Sequence, residues 1–520
     1  MMPRLPKMTF VWSDIAFLAY WWERASEKAQ NTLKNLVVRG KLEIVTGGWV
    51  MPDEAITSLY ALLTQLIEGH EWLYENLQVI PETSWSIDPF GLSSTMPYLL
   101  AASGVKGGLL VQRVHFAWQR LLGHLGHSDL MWRQSWDANS THEMKLRVQH
   151  SCTYVLTDTC GPATPLCQLY DFAEQRHDIQ FKDIRKKIEV LLGQYGRLGS
   201  LSRTNHVVVP LGGDFRFVNS SEWTRQYTNY RAIMDYVNHN FDLYNANIEF
   251  GTLKEFFSEV GIADLKVEGD FFPYSDYTQT CLRKCKLKSS YWTGYYTTRP
   301  RLKLLSNSVG AKLRAVEILF TLGALSWCRD GTLPDGSGRS WVEEAQRKLN
   351  WARRAWALFQ HHDGITGTST ARVMKQQTRR LKRAGQYLKE TLEGIVTRFL
   401  YSSNASCSSP TPRHRRSDEN KEDSGKSAKI VIYNSIELAR NDLLAVIAPP
   451  NIGRVKIKEK GESLLHQIVE RGHDTLIYFK TRVPPLSLKI LELIEYEGEP
   501  KYSIRNQRPD CNGWMTKSCF

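Results

Sequence analysis

Short apolar runs alternate with longer helical stripes through the first 300 residues. Thr9-Phe10-Val11-Trp12 reads as a strand, and Ser13 stands where it can cap a helix through Phe17, Leu18, Trp21 and Trp22. Leu42-Glu43-Ile44-Val45 is a second strand, stopped by Gly47-Gly48. The spacing of Ala55, Leu59, Leu62, Leu63 and Leu66 predicts a helix from Asp53 to Glu75. Three more strands follow: Trp85-Ser86-Ile87, halted by Asp88-Pro89; the run from Gly108 to Val114; and the run from Val207 to Leu211, before Gly212-Gly213-Asp214. Buried strands separated by helices predict a parallel sheet covered by helices. Functional groups belong at the carboxyl ends of such strands, where Asp88, Arg113 and Asp214 fall.

The pattern changes after Arg299-Pro300. Leu349, Ala352, Trp356 and Phe359 form one helical stripe; Val373, Leu381, Ala384, Leu388, Leu392, Ile395 and Phe399 form another. Such stripes bury themselves most simply on each other, as a small bundle. Residues 401–428 are mostly Ser, Asn, Pro and charge, which reads as a linker. Beyond it, Ile430 to Tyr433, Leu443 to Ile447 and Thr475 to Phe479 read as strands. The expected fold class is multidomain α/β: an N-terminal parallel-sheet (β/α) domain over 1–299, a three-helix-bundle-like middle domain over 300–400, the linker, and the start of a C-terminal β-sandwich domain over 429–520.

Length and composition suit this reading: 520 residues exceed one ordinary core, and 42% apolar content with 16 Trp, 22 Tyr and 19 Phe can fill several. The formal charge of +13 is dispersed, apart from Arg413-His414-Arg415-Arg416 in the linker. A continuous basic face is missing, which argues against nucleic acid as a partner; the bias suits acidic surfaces or anionic glycans. No run of about 18 apolar residues crosses a bilayer, and the first residues lack the apolar stretch and cleavage site of a signal peptide. Of nine cysteines, Cys160 and Cys167 flank a short turn-rich loop whose closure by a disulfide would fit an oxidising compartment, and Cys281 with Cys285 is a second candidate pair. Sequons at Asn139, Asn219 and Asn404 are compatible with secretory passage.

Candidate chemistry sits in two distant segments. His362 follows Phe359 by three positions on a helix that Gly364 terminates; such a histidine is either a rigidly held metal ligand or a hydrogen-bonded C-terminal residue favoured by the helix dipole. Asp88, between a buried strand and a proline, can ligate a metal, attack a carbon, or accept backbone hydrogens from its own turn. Arg113 can anchor an oxygen-rich substrate or form a strand-end ion pair. Asp270 and Asp276 beside Phe271, Phe272 and Tyr274, and the aromatic segment from Tyr291 to Pro300, suit either sugar binding or core packing.

Taken together, the strings Leu42 to Ala55, Ile87-Asp88-Pro89-Phe90-Gly91, Gln112-Arg113-Val114-His115, Gly269-Asp270-Phe271-Phe272, Tyr291 to Pro300 and Gln360 to Thr368 resemble the family 38 α-mannosidases, of the Golgi α-mannosidase II type, over nearly all of the chain. The resemblance implies one Zn2+ and retaining hydrolysis of terminal α-linked mannose in N-glycan processing, in the Golgi lumen. It implies that Asp88 is nucleophile and metal ligand, that His362 is a metal ligand, and that Phe90, Arg113, Asp363, Tyr291 and Trp292 bind the sugar. Asp276 is the expected general acid, because it follows Gly269-Asp270-Phe271-Phe272 at the family's distance. The expected partners are mannose-containing N-glycans, with a homodimer left open. The family's strand-end His-x-Asp motif, two further zinc ligands, does not stand before Thr9, and its Tyr-Asp pair reads Tyr154-Val155. The expectation is a member truncated at both ends, its full-length form membrane-anchored and this chain impaired; the alternative is a catalytically inactive, mannosidase-like carbohydrate-binding protein.

Overall fold

The computed structural model describes residues 2–137, 139, 141–151, 153–173, 184–277, 289–329, 337–402, 427–448, 455–471 and 474–495. Cys281, Cys285, Asn404 and the basic run 413–416 lie outside them. The chain divides into two compact units, Met1–Ala311 with Gln346–Tyr387, and Lys312–Ala345 with Leu388–Phe520.

In the first unit, β1 (Phe10–Trp12) pairs in parallel with β2 (Leu42–Ile44). The main sheet contains β3 (Thr83–Ser86), β4 (Gly108–Val111), β5 (Asp129–Arg133), β6 (Met144–Val148) and β7 (Lys266–Glu268), in the order β3-β4-β6-β5-β7. Three of its pairings are parallel; β5 and β6 are antiparallel. An antiparallel pair needs no crossover helix, and β5 turns directly into β6. The core beneath includes Leu92, Leu100, Val111, Trp132, Val148 and Phe271. Leu92 and Trp132 are fully buried, and burial of an aliphatic side chain such as Leu92 contributes roughly 1.5–3 kcal/mol.

The structure alters several expected boundaries. The helix expected from Asp53 is Leu59–Leu77, started by Ser58, whose hydroxyl accepts from the Ala61 N–H at 3.3 Å. Residues before it form a turn because the Asp53 carboxylate accepts the Ile56 and Thr57 N–H groups at 2.7 and 3.2 Å, a local alternative to helix. Ser13 is not the cap of the first helix, Ile15–Trp22; Asp14 occupies that position, and its carboxylate accepts the Met51 N–H instead. The expected strand from Val207 to Leu211 pairs with no strand among the described residues. Its Val208 and Pro210 carbonyls accept from the Gln149 and Thr159 side chains, at 3.3 and 2.7 Å, and Pro210 has no N–H to offer a ladder.

Helices Pro300–Arg329, Ser337–Phe359 and Ala371–Ser402 form the bundle segment. Leu349, Ala352, Trp356 and Phe359 are buried as their stripe predicts, with Trp356 Nε1 donating to the Ser306 carbonyl at 3.0 Å; on the last helix Val373 is exposed and Met374 takes the inward position. In the second unit two antiparallel sheets face one core. One has the order β10 (Ser427–Asn434), β16 (Ser487–Glu495), β12 (Val455–Glu459), β13 (Glu462–Leu464). The other has β11 (Arg440–Ile447), β15 (Asp474–Val483), β14 (His466–Arg471). Ile457, Ile477, Phe479, Leu491 and Leu493 fill the space between them, a β-sandwich-like arrangement. None of the described helices is long and apolar enough to cross a membrane.

Helix Leu59–Leu77 crosses the Gly47–Trp49 turn at Gly69, whose absent side chain permits the approach. A Cβ there would overlap the Gly47 carbonyl oxygen and lie 2.6 Å from the Gly48 carbonyl carbon. Gly69→Ala is expected to cost about 1–3 kcal/mol through overpacking against backbone. Urea unfolding should show a lower midpoint at unchanged slope; an unchanged midpoint would mean the turn retreats freely.

Candidate metal and sugar site

β3 and β4 lie side by side with Ser86 opposite Val111. Asp88 and Arg113 each stand two residues past those ends, so the sheet delivers a carboxylate and a guanidinium to the same edge. Arg113 donates to Asp88 Oδ1 through Nε at 2.8 Å and Nη2 at 2.6 Å. The guanidinium also lies over the Trp292 ring at 4.8 Å and the Phe90 ring at 5.7 Å.

His362 reaches Asp88 from the far end of the unit. Its helix ends at Phe359 rather than at Gly364, and His361 bridges Pro52 in the next turn. The His362 backbone N–H donates to the Met51 carbonyl at 3.2 Å, and the ring Nδ1 lies 2.8 Å from the same oxygen. That contact assigns the proton to Nδ1 and turns the Nε2 lone pair toward Asp88 Oδ2, 3.1 Å away. Two lone pairs facing at this distance need a positive charge between them, either a proton or a cation. One imidazole nitrogen and one carboxylate oxygen are zinc donors, and the backbone carbonyl behind the ring is the usual outer partner of a ligating histidine. Both atoms are thus of the kind that holds zinc, and they supply two of the three or more protein ligands such a site uses. His361, His362 and Asp363 also bring ligand atoms within 4.8 Å of one another, a cluster capable of holding an ion.

Burial opposes ionisation of Asp88, but the His362 hydrogen bond and the Arg113 charge outweigh it and hold the carboxyl well below its usual range. Burial likewise opposes charge on His362, and Asp88 overcomes it, raising the imidazole pKa. Asp363 is lowered, first by His361 beside it; its Oδ1 accepts from the Thr368 hydroxyl at 2.6 Å.

Phe90 is buried, meets Trp292 at 5.0 Å and Tyr295 edge-on at 5.2 Å, and lies 6.1 Å from the His362 ring. Tyr295 fixes that turn by donating to the Phe90 carbonyl at 2.8 Å. Tyr291 is exposed, and its hydroxyl lies 3.5 Å from His115 Nε2. Asp88, His362, Arg113, Phe90 and Trp292 thus converge, Asp363 adjoins them through His362, and Tyr291 stands at the margin. Asp276 lies on β8 (Ser275–Tyr277) opposite Ser290 of β9 (Ser289–Tyr291), with Oδ1 enclosed and without a hydrogen-bond partner among the described residues. Among the described residues no hydrogen bond or ion pair joins it to Asp88, Arg113 or His362. Asp270 is committed elsewhere, accepting from Ser94 N and Oγ at 2.7 and 2.8 Å.

The structure adds Tyr154 and Asp214. The Tyr154 hydroxyl lies 2.7 Å from Asp214 Oδ1 and 3.3 Å from Asp88 Oδ2, so one phenol oxygen separates two carboxylates. Burial and then the Asp88 charge push the phenol pKa up, keeping it a donor. Asp214 was visible in the sequence at the end of an apolar run; only its contact with Tyr154 marks it as part of the site.

Residues 1–277 match the family description "Glycosyl hydrolases family 38 N-terminal domain", and residues 290–399 match "Alpha mannosidase middle domain". Alpha-mannosidase 2 of Spodoptera frugiperda is 36% identical over 96% of this chain and 46% of its own length; the Homo sapiens protein of that name is 31% identical over 94% and 45%. The chain thus spans somewhat under half the length of these curated relatives. A crystal structure of an α-mannosidase from Enterococcus faecalis V583 shares the fold, with a TM-score of 0.62 at 15% identity over 95% of this chain and 53% of that one. With more than half of its residues inside the N-terminal domain match and its middle segment inside the second, the chain belongs to glycoside hydrolase family 38, close to the Golgi-type α-mannosidases II.

Proposed function

We propose that this protein is a zinc-dependent retaining α-mannosidase that removes terminal α-linked mannose from N-glycans in the Golgi or secretory pathway. The observation that carries the reading is the meeting of Asp88 Oδ2 and His362 Nε2 at 3.1 Å, within a family 38 chain. Asp88 and His362 would hold the zinc, which when bound supplies positive charge for the sugar hydroxyls. Arg113 holds the Asp88 carboxylate by one oxygen, and Phe90 with Trp292 offers an apolar wall to a pyranose face. Asp88 attacks the anomeric carbon as the glycosidic bond to the leaving oxygen breaks, and a carboxylic acid gives that oxygen its proton. Water then attacks the same carbon, returns a proton to the acid, and frees Asp88.

Geometry favours Asp214 over Asp276 as the acid. The contacts of Tyr154 keep Asp214 close to Asp88, compatible with the roughly 5–5.5 Å of retaining enzymes. The disulfide between Cys160 and Cys167 suits an oxidising compartment.

The test is zinc analysis with hydrolysis of an aryl α-mannoside. Bound zinc, and slow turnover abolished by a chelator, are expected. In Asp214→Asn, hydrolysis of an alkyl α-mannoside should fall about 10²–10⁴-fold, and that of an activated aryl mannoside much less, because its leaving group needs no proton. The same split in Asp276→Asn alone would return the role to Asp276. Zinc-free, full-rate hydrolysis would end the reading.

A further inference from the structure

The segment Met51–Glu54 touches both halves of the site. On one side the Met51 carbonyl holds the His362 backbone and ring, and the Asp53 N–H donates to the Gln360 carbonyl at 2.9 Å. On the other, Glu54 accepts the Ser86 hydroxyl on Oε1 and the Ser93 N–H on Oε2, both at 2.8 Å. Ser86 ends β3 and Ser93 follows the turn, so these bonds grip the chain before and after Asp88. Glu54 is itself 6% exposed, and the charges that act on it, Asp53 and Asp270, are of its own sign. Asp270 reinforces the far side of the same turn through Ser94.

We propose that Glu54 is a positioning residue: its two carboxyl oxygens lock the Asp88 turn to the Met51 segment that holds His362, and so set the spacing of the two zinc-facing atoms. This rests on the zinc reading above. A carboxyl group suits the task because its two oxygens, held rigidly, meet the Ser86 hydroxyl and the Ser93 N–H from opposite ends of one turn. Glutamine keeps one oxygen for the Ser93 N–H, and its amide can donate to the Ser86 hydroxyl. Leucine leaves both donors unpaired. Burial pushes the Glu54 carboxyl up to about 8, with Ser93 and Ser86 opposing the shift.

The test is Zn2+ affinity of the full chain, by competition with a chromophoric chelator, alongside melting temperature. Glu54→Leu should bind Zn2+ about 10–100-fold more weakly, the range for lost outer-shell support, while Glu54→Gln stays close to the unsubstituted protein. Leu191→Ala, in a separate core cluster with Tyr170 and Ile233, should melt earlier with unchanged affinity. Ser86→Ala, which removes one grip with little change of volume, should weaken binding less than Glu54→Leu, and it decides the matter if Glu54→Leu does not fold. Unchanged affinity in Ser86→Ala and Glu54→Leu, or an equal loss in Leu191→Ala, overturns the positioning role. Failure of the unsubstituted protein to bind Zn2+ overturns the zinc reading itself.

Discussion

Asp88→Asn should lower hydrolysis of an aryl α-mannoside at least about 10³-fold, a loss of about 4 kcal/mol of transition-state stabilisation. Asparagine keeps the shape of the side chain but loses its charge, and its amide cannot displace a glycosidic oxygen to form a covalent ester. The charge that Arg113 and His362 now balance disappears as well. The part-buried Arg113 is left with Tyr274 at 3.4 Å and the Trp292 face. Zinc content should fall with activity, since one of two converging donors is weakened. Steady-state rates on the substituted chain, with zinc measured on the same sample, check both. A rate within tenfold of the unsubstituted chain would place the nucleophile elsewhere.

The largest stability effect is expected at Arg147. Its guanidinium contacts Asp129 Oδ2 at 2.5 Å with both side chains more than nine-tenths buried, and Ser202 donates to the same oxygen. Asp129 Oδ1 has no partner among the described residues. Burial pushes the Arg147 pKa below its usual value, with Asp129 opposing. Arg147→Ala would leave Asp129 enclosed and uncompensated, at a cost of about 3–5 kcal/mol. The double substitution Arg147→Met with Asp129→Leu should cost less than Arg147→Ala alone, because no buried charge remains. Urea denaturation of both variants measures the difference; a loss under about 1 kcal/mol for Arg147→Ala would show that water reaches the pair.

Much of the site was legible because its residues stand where apolar runs stop. Trp85-Ser86-Ile87 and the run from Gly108 put Asp88 and Arg113 at the carboxyl ends of strands in the sequence itself. The stripe ending at Phe359 placed His362 next to the core, although the turn that holds it belongs to Met51. Other elements were hidden by polar residues on buried faces. Helix Ser220–His239 buries Glu222, Gln226 and Asn229 along with Tyr230 and Ile233, so no clean apolar stripe marks it. β6 carries Arg147 into the interior, which breaks the strand pattern. Asp214 escaped a role for another reason: Val207 to Leu211 looks like a strand by composition, but its carbonyls are taken by side chains from elsewhere. Nothing local records that Tyr154 reaches across to it.

The contact behind the imidazole is made by main chain. Every amino acid at position 51 brings the same oxygen, so point substitution there can alter size and polarity without releasing His362. Ring orientation is instead vulnerable to changes of length: an insertion or deletion between Trp49 and Asp53 would shift that oxygen out of reach while leaving every ligand in place.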